Sequence, residues 1–224
     1  DWSSDVCSSD LELHSYFRSS ASFRVRIALN LKGLPYDYKG VHLLKEGGMQ
    51  LKPEYRALNA DGVVPTLVVD GRPLIQSMAI IEYLDETHPE PALLPKDPFD
   101  RAVVRGLAQE IACEIHPLNN LRVLKYLKHE LKVSEEAKDA WYRHWIEQGF
   151  ASLEVNLRQL GHVGRYAFGD TPTLVDLCLV PQVFNSQRFN VDLTPFPTIA
   201  QIHANCMELD AFKKAAPGVQ PDSE

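Results

Sequence analysis

The chain has 224 residues, 45% of them hydrophobic and 24% charged, with a formal net charge of −7. That length buries a sizeable core, as one large domain or two small ones. The acidic balance argues against a nucleic-acid surface, which needs a basic stripe, and leaves any anionic ligand to be drawn in by local arginines against the overall field.

Residues 1–10, DWSSDVCSSD, repeat a Ser-Ser-Asp unit around Cys7 and have neither the positive nor the apolar stretch of a signal peptide. They read as an extension foreign to the fold, in which neither Trp2 nor Cys7 carries function. From Leu11 the alternation LELHSY suits a strand. Ser19 and Ser20 are good helix-capping types, and apolar residues follow at Phe23, Val25, Ile27, Ala28, Leu29 and Leu31 before Gly33 and Pro35 close the helix. Tyr36–Leu44 returns to a strand, and 45–62 is polar and helix-prone. VVPTLVVDGRPLIQS predicts a hairpin around Asp70-Gly71 with a type I′ turn. Pro65 cannot donate to a ladder, so its arm is expected at an edge or locally irregular. Ser77 is then expected to cap the helix MAIIEYLDETH.

The proline-rich stretch 88–98 reads as a linker. Beyond it helices are expected at 99–115, 117–131, 134–160, 173–186 and 197–214, with Thr173 and Asp176 forming a capping box. The domain reading is therefore α/β over 11–87, linker over 88–98 and all-α over 99–224. Cys7, Cys113, Cys178 and Cys206 lack metal-ligand or CxxC spacing, so no metal is expected. Cys113 and Cys178 lie in apolar surroundings and read as buried thiols, which suits a reducing cytoplasm. No apolar run approaches the ~18–20 residues of a membrane span.

The stretch 18–24, RSSASFR, carries the first chemical signal. Free N–H groups at a helix start hold anions, and a thiolate there is stabilised. Ser19 and Ser20 add hydroxyl donors, while Ala21 stands where a protein nucleophile would be expected. The plain alternative makes the two serines only a cap. Arg24 and Arg26 leave the helix on different sides, and Arg24 suits an acidic partner as well as a ligand. Gln76-Ser77 offers an amide, a hydroxyl and free N–H groups to a carboxylate, or again only a cap. In HPLNNLR, His116, Asn120 and Arg122 project polar groups from an apolar segment, where a lone histidine is commonly structural.

The segments SYFRSSASFRVRIALNLKG, ALNADGVVPTL, LIQSMAIIEYLDETHP, HPLNNLRVL, GDTPTLVDLCLVPQV and RFNVDLTPFP together resemble the zeta class of glutathione transferases over nearly the whole chain. The resemblance implies a thioredoxin-like domain, with Pro65 in cis, followed by a helical one. It implies glutathione as cofactor and a cis–trans isomerisation of maleylacetoacetate, with maleylpyruvate as the alternative substrate. A non-catalytic interaction module is the rival from another class.

Carried over to this sequence, the resemblance makes Ser19 the donor to the thiolate, with Ser20 sharing the catalytic role. Ala21, Ser22, Phe23 and Arg24 complete the pocket, with Gln50, the backbone of Val64, Gln76 and Ser77 on the tripeptide. His116, Asn120, Leu121 and Arg122 would line the cleft as further glutathione-binding residues. Arg18, Arg122 and Arg188 would receive substrate carboxylates, since a guanidinium binds them bidentately; the plain alternative for Arg188 is a surface ion pair. The family cysteine is Ala21 here, so covalent chemistry would pass through glutathione sulfur. Leu121 stands where maleylpyruvate isomerases carry an arginine. A homodimer is the family expectation.

Overall fold

The computed structural model describes residues 11–160 and 162–224, so the expectations for residues 1–10 lie outside it. It divides into two units: the chain through His88 together with Lys214–Glu224, and Pro89–Lys213.

The first unit is built on a four-stranded sheet of order β2-β1-β3-β4. Strand β1 (Leu11–Ser15) pairs in parallel with β2 (Asp37–Gly40) and antiparallel with β3 (Thr66–Val69), which pairs antiparallel with β4 (Arg72–Ile75). Between β1 and β2 runs α1 (Ser20–Leu31), between β2 and β3 the single turn α2 (Pro53–Arg56), and after β4 comes α3 (Ser77–Thr87). Leu13, Val25, Ile27, Leu29, Leu67, Ile80 and Leu84 have no exposed surface and form its core. Full burial of such side chains stabilises by roughly 1.5–3 kcal/mol each, before the entropy of ordering them is counted. A second apolar cluster joins Tyr16, Phe17, Val41, Tyr55 and Val64.

Several local expectations change. The β2 strand is four residues long, and 45–62 folds as short 3-10 turns and α2. Asp70 (φ 48°) and Gly71 (φ 73°) both take positive φ, as a type I′ turn requires. Pro65 does not put its arm at an edge: β3 is interior, and the proline precedes it across a cis Val64–Pro65 bond. Its missing N–H is thereby kept off the ladder. Ser77 is not the cap of α3; Gln76 is, with φ 70°, and Ser77 is the first helical residue.

The second unit contains α4 (Pro98–Gln109), α5 (Leu121–His129), α6 (Glu135–Leu160), α7 (Leu174–Arg188), α8 (Pro197–Cys206) and α9 (Asp210–Ala215), the last crossing the boundary. α7 is buried around nearly its whole circumference, which explains its run of apolar residues. Its first turn is fixed by Asp176, which accepts from Thr173 N (2.7 Å), Thr173 Oγ1 (3.0 Å) and Ala167 N (2.9 Å). The Cys206 thiol lies 3.7 Å from Asp176 Oδ1. Burial raises the Asp176 carboxyl to about 6 despite these donors, and raises the Cys206 thiol strongly.

The expected helix 117–131 is broken because Asn120 is extended (ψ 146°) and caps α5, and 197–214 is broken at residues 207–209. Cys113 is exposed where a buried thiol was expected, while Cys178 and Cys206 are buried. The tail was expected to stay with the helices. Instead, residues 214–224 belong with the sheet, where Asp222 bonds Phe17 N and the Tyr38 hydroxyl. Among the described residues, no helix is long and apolar enough to cross a membrane, and no cluster of metal-ligand side chains occurs.

Candidate functional site

In the first unit, four sequence-predicted segments lie on the ends of regular elements. Ser19 is the N-cap of α1 in extended conformation (φ −69°, ψ 119°), and its Oγ accepts from Ser22 N at 3.2 Å. Ser20 starts the helix and is buried; Ala21 is half-buried; Ser22 and Phe23 are buried, and Ser22 Oγ has no partner. The N–H groups of this first turn are those that a helix cannot pair internally.

Arg24, 2% exposed, directs Nη1 at Ser77 Oγ (3.4 Å), and its Nε and Nη2 are buried without partners. A buried cation with unsatisfied donors behind a hydroxyl at a helix start favours an anion there. The adjoining Gln76 is exposed and holds its positive φ, a conformation that non-glycine residues adopt mainly under local constraint.

Val64 is fixed from below. Tyr55 Oη donates to Val63 O (2.7 Å) and lies 2.9 Å from Thr66 Oγ1, and Asn59 Nδ2 donates to Val63 O (2.9 Å). Tyr55 and Asn59 were missed in sequence; their spacing ahead of the proline was the available signal. Gln50 is buried with an unpartnered Oε1 and packs against Gly48, where a Cβ would lie 2.9 Å from both amide atoms. Arg18 is half-buried, donates to Tyr16 Oη (3.0 Å) and lies 4.9 Å above the Phe17 ring.

In the second unit, α4 passes into a π-helical turn (Glu110–Ile115), then a 3-10 turn (His116–Asn119), then extended Asn120. π-turns within helices often mark functional positions. α6 braces this segment: Trp141 Nε1 donates to Leu118 O (2.9 Å), and Asn119 Nδ2 donates to Tyr142 O (3.0 Å). Gly149 makes room, since a Cβ there would lie 2.3 Å from Ile115 Cγ1. His116, Asn120 and Leu121 are half-buried, and Arg122 and Arg188 are exposed. Asn120 Oδ1 accepts from Arg122 N (3.1 Å), so part of its polarity serves the cap. Arg188 ends α7 and lies 5.8 Å over the Phe189 ring, which stacks on Tyr142 at 3.6 Å. Burial raises Tyr142 to about 12, with Arg188 opposing the shift. Arg188 is in none of the salt bridges found among the described residues, contrary to its plain alternative.

A thioredoxin-like unit followed in the chain by a helical unit is the domain order of the glutathione-transferase fold. The chain matches the glutathione S-transferase N-terminal domain over residues 18–87 and the C-terminal domain over 139–220. It belongs to the glutathione S-transferase family. It is 50% identical over 213 residues to a Vibrio cholerae protein named "Probable maleylacetoacetate isomerase", covering 95% of this chain and 98% of that one. It is similar to a solved holo maleylpyruvate isomerase described as a bacterial zeta-class glutathione S-transferase, at 52% identity and TM-score 0.92, covering 95% of this chain and 100% of that one. It is also similar to a maleylacetoacetate isomerase from Anaeromyxobacter dehalogenans solved with glutathione in its active site, at 44% identity and TM-score 0.84, covering 96% and 98%.

Proposed function

We propose that this chain is a glutathione-dependent cis–trans isomerase that converts maleylacetoacetate to fumarylacetoacetate in tyrosine and phenylalanine breakdown. The observation that carries the reading is the start of α1: a Ser19 hydroxyl at the N-cap of the helix, with alanine at 21 and no protein thiol on that helix. Cys113, Cys178 and Cys206 all belong to other segments. Bound glutathione supplies a thiol that adds to the conjugated double bond and leaves unchanged once the bond has rotated.

The chain's own residues would bind and orient. Ser19 donates to the sulfur, with Ser20 and the Ala21–Phe23 backbone completing the anion-stabilising turn. The Val64 backbone pairs with the cysteinyl unit as an added strand does. Gln76 and Ser77, backed by the Arg24 cation, take the γ-glutamyl end, with Gln50 beside it. The unpaired nitrogens of Arg24 and the unpaired Gln50 Oε1 support this fit. Arg18, Arg122 and Arg188 are the groups for substrate carboxylates, with His116, Asn120 and Leu121 as the accompanying lining. The same reading carries a cytoplasmic homodimer, in keeping with Cys178 and Cys206 being buried and in no disulfide among the described residues.

Maleylpyruvate is the second substrate reading, favoured by the 52% identity to a maleylpyruvate isomerase and opposed by Leu121. An assay of the purified protein with glutathione against both substrates, followed by loss of ultraviolet absorbance, decides between them. We expect turnover of maleylacetoacetate to exceed that of maleylpyruvate; turnover of neither, with no glutathione binding, returns the chain to an interaction module. Ser19→Ala should raise the pKa of bound glutathione and lower kcat by about 100-fold. An unchanged thiol titration would move the donor role to Ser20 or the backbone.

A further inference from the structure

The turn that carries Arg18 and Ser19 is tied to the distant segment 214–224 through two charged groups. Arg26 has no exposed surface, and its guanidinium serves four acceptors. Nε donates to Ala215 O (3.0 Å), Nη1 to Ser15 Oγ (3.1 Å) and Tyr16 O (3.3 Å), and Nη2 to Phe17 O (2.9 Å). Asp222 supplies the complementary contact: Oδ2 accepts from Phe17 N (3.2 Å), and Oδ1 accepts from the Tyr38 hydroxyl (2.6 Å). Phe17 is therefore held at both its N–H and its carbonyl. Ser19 N donates to Tyr16 O (3.0 Å), which carries the restraint to the serine itself.

The segment is itself ordered by its own bonds. Gln220 Nε2 donates to Lys214 O (2.8 Å) and Ala216 O (2.9 Å), closing the turn that returns Asp222 to the sheet. Glu224 pairs with Lys45 and with His42 Nε2 (3.2 Å), and the His42 ring packs edge-on to Tyr16 at 5.0 Å. Tyr16 Oη in turn accepts from Arg18.

We propose that Asp222, acting with Arg26, is a positioning residue for the glutathione thiol: it fixes the Tyr16–Arg18 turn and through it the Ser19 hydroxyl. The proposal rests on the reading of Ser19 given above. A hydroxyl that stabilises a thiolate must be held to about 0.5 Å. The helix holds Ser19 on one side only, through Phe23 N on its carbonyl (2.8 Å) and Ser22 N on its Oγ (3.2 Å), so its approach from the Tyr16–Arg18 side has to be fixed by other bonds. Bonds to ionised groups are the strong ones, and here one anion and one cation grip the same peptide unit from opposite sides. Burial and the Asp222 contact both keep the Tyr38 hydroxyl protonated, so it remains a donor to that carboxylate.

The test compares the full chain with Asp222→Ala and Asp222→Asn, by calorimetric affinity for glutathione and by ultraviolet titration of the bound thiol. Asp222→Ala should weaken glutathione about tenfold and move the bound thiol's pKa upward, towards that of free glutathione. Asp222→Asn should recover most of both, because its amide oxygen still accepts from Phe17 N. A wild-type titration in the Ala variant overturns the proposal, as does an Asn variant as impaired as Ala. Should the Ala variant fail to fold, Asp222→Ser, also too short to reach Phe17, takes its place with the same expectations. Absence of glutathione binding by the unmutated protein would instead defeat the reading of Ser19, and the proposal with it.

Discussion

The two units use buried charge differently. In the first, Arg26 and Asp222 grip the Tyr16–Phe17 backbone, two residues ahead of Ser19, and Arg24 bonds Ser77, so the charges end on candidate ligand residues or on the turn that leads to one. In the second, Asp176 and Glu154 are both buried; the bonds of the first end on Thr173, Ala167 and Cys206 and those of the second on Thr198, Ile199 and Arg158, none of which is a candidate ligand residue. His116 and Asn120 sit instead on irregular backbone braced by neutral hydrogen bonds from Trp141 and Asn119, while Leu121, Arg122 and Arg188 lie at the ends of α5 and α7. On the proposed roles, charge-backed geometry falls where glutathione would bind, and more exposed groups fall where substrate carboxylates would.

The strongest way to break that comparison is Asp176→Ala. If the acid only anchors the fold, the variant should lose about 3 kcal/mol of stability through its unpaired donors, read as a lowered urea midpoint. The folded Asp176 carboxyl lies near 6, above the ordinary 3.8. Between these values the folded chain keeps on Asp176 a proton that the unfolded chain releases, so the contribution of Asp176 to stability should fall from about pH 4 to 6 and then level, which the difference between wild type and variant isolates. The variant should lack that slope. A thiol titration shifted as strongly as in Asp222→Ala would show that buried charge in the second unit serves the cofactor after all.

Gly149→Ala probes the irregular segment more gently. The added methyl would meet Ile115 Cγ1 and Cδ1 at 2.3 and 2.4 Å, so the π-turn ahead of His116 must shift. Overpacking of this kind costs about 1–3 kcal/mol. Turnover should fall with glutathione affinity unchanged; a fall in that affinity would mean that the two units share the cofactor more closely than the contrast suggests.

Sequence reasoning reached the elements whose signal is local. The Asp70-Gly71 turn, the Thr173–Asp176 box and the apolar run of α1 are each set by neighbours within a few residues. It placed Ser19, Gln76 and Ser77 at helix starts because a helix start is written in its first turn. It missed what depends on distant partners. Nothing near Asp222 points to Phe17, which lies 205 positions away, and nothing near Arg26 distinguishes a buried four-acceptor guanidinium from a surface one. The break at Asn120 was hidden because an apolar periodicity runs through it; only the cap geometry ends one helix and starts another.

The smallest expected effect concerns substrate preference. Leu121 is half-buried at the first position of α5, directly after the Asn120 cap and before exposed Arg122. Leu121→Arg places a second guanidinium beside the first at a helix start that already favours anions. Stability should move by less than about 0.5 kcal/mol, since the side chain is not in the core. A shorter keto diacid presents its two carboxylates closer together, and paired arginines suit it better than one. The ratio of kcat/KM for maleylpyruvate over maleylacetoacetate should therefore rise about 5–10-fold, with glutathione affinity constant. Were the ratio unmoved while Arg122→Met lowers both activities, carboxylate recognition would rest on Arg122 itself. Position 121 would then be a packing residue of α5.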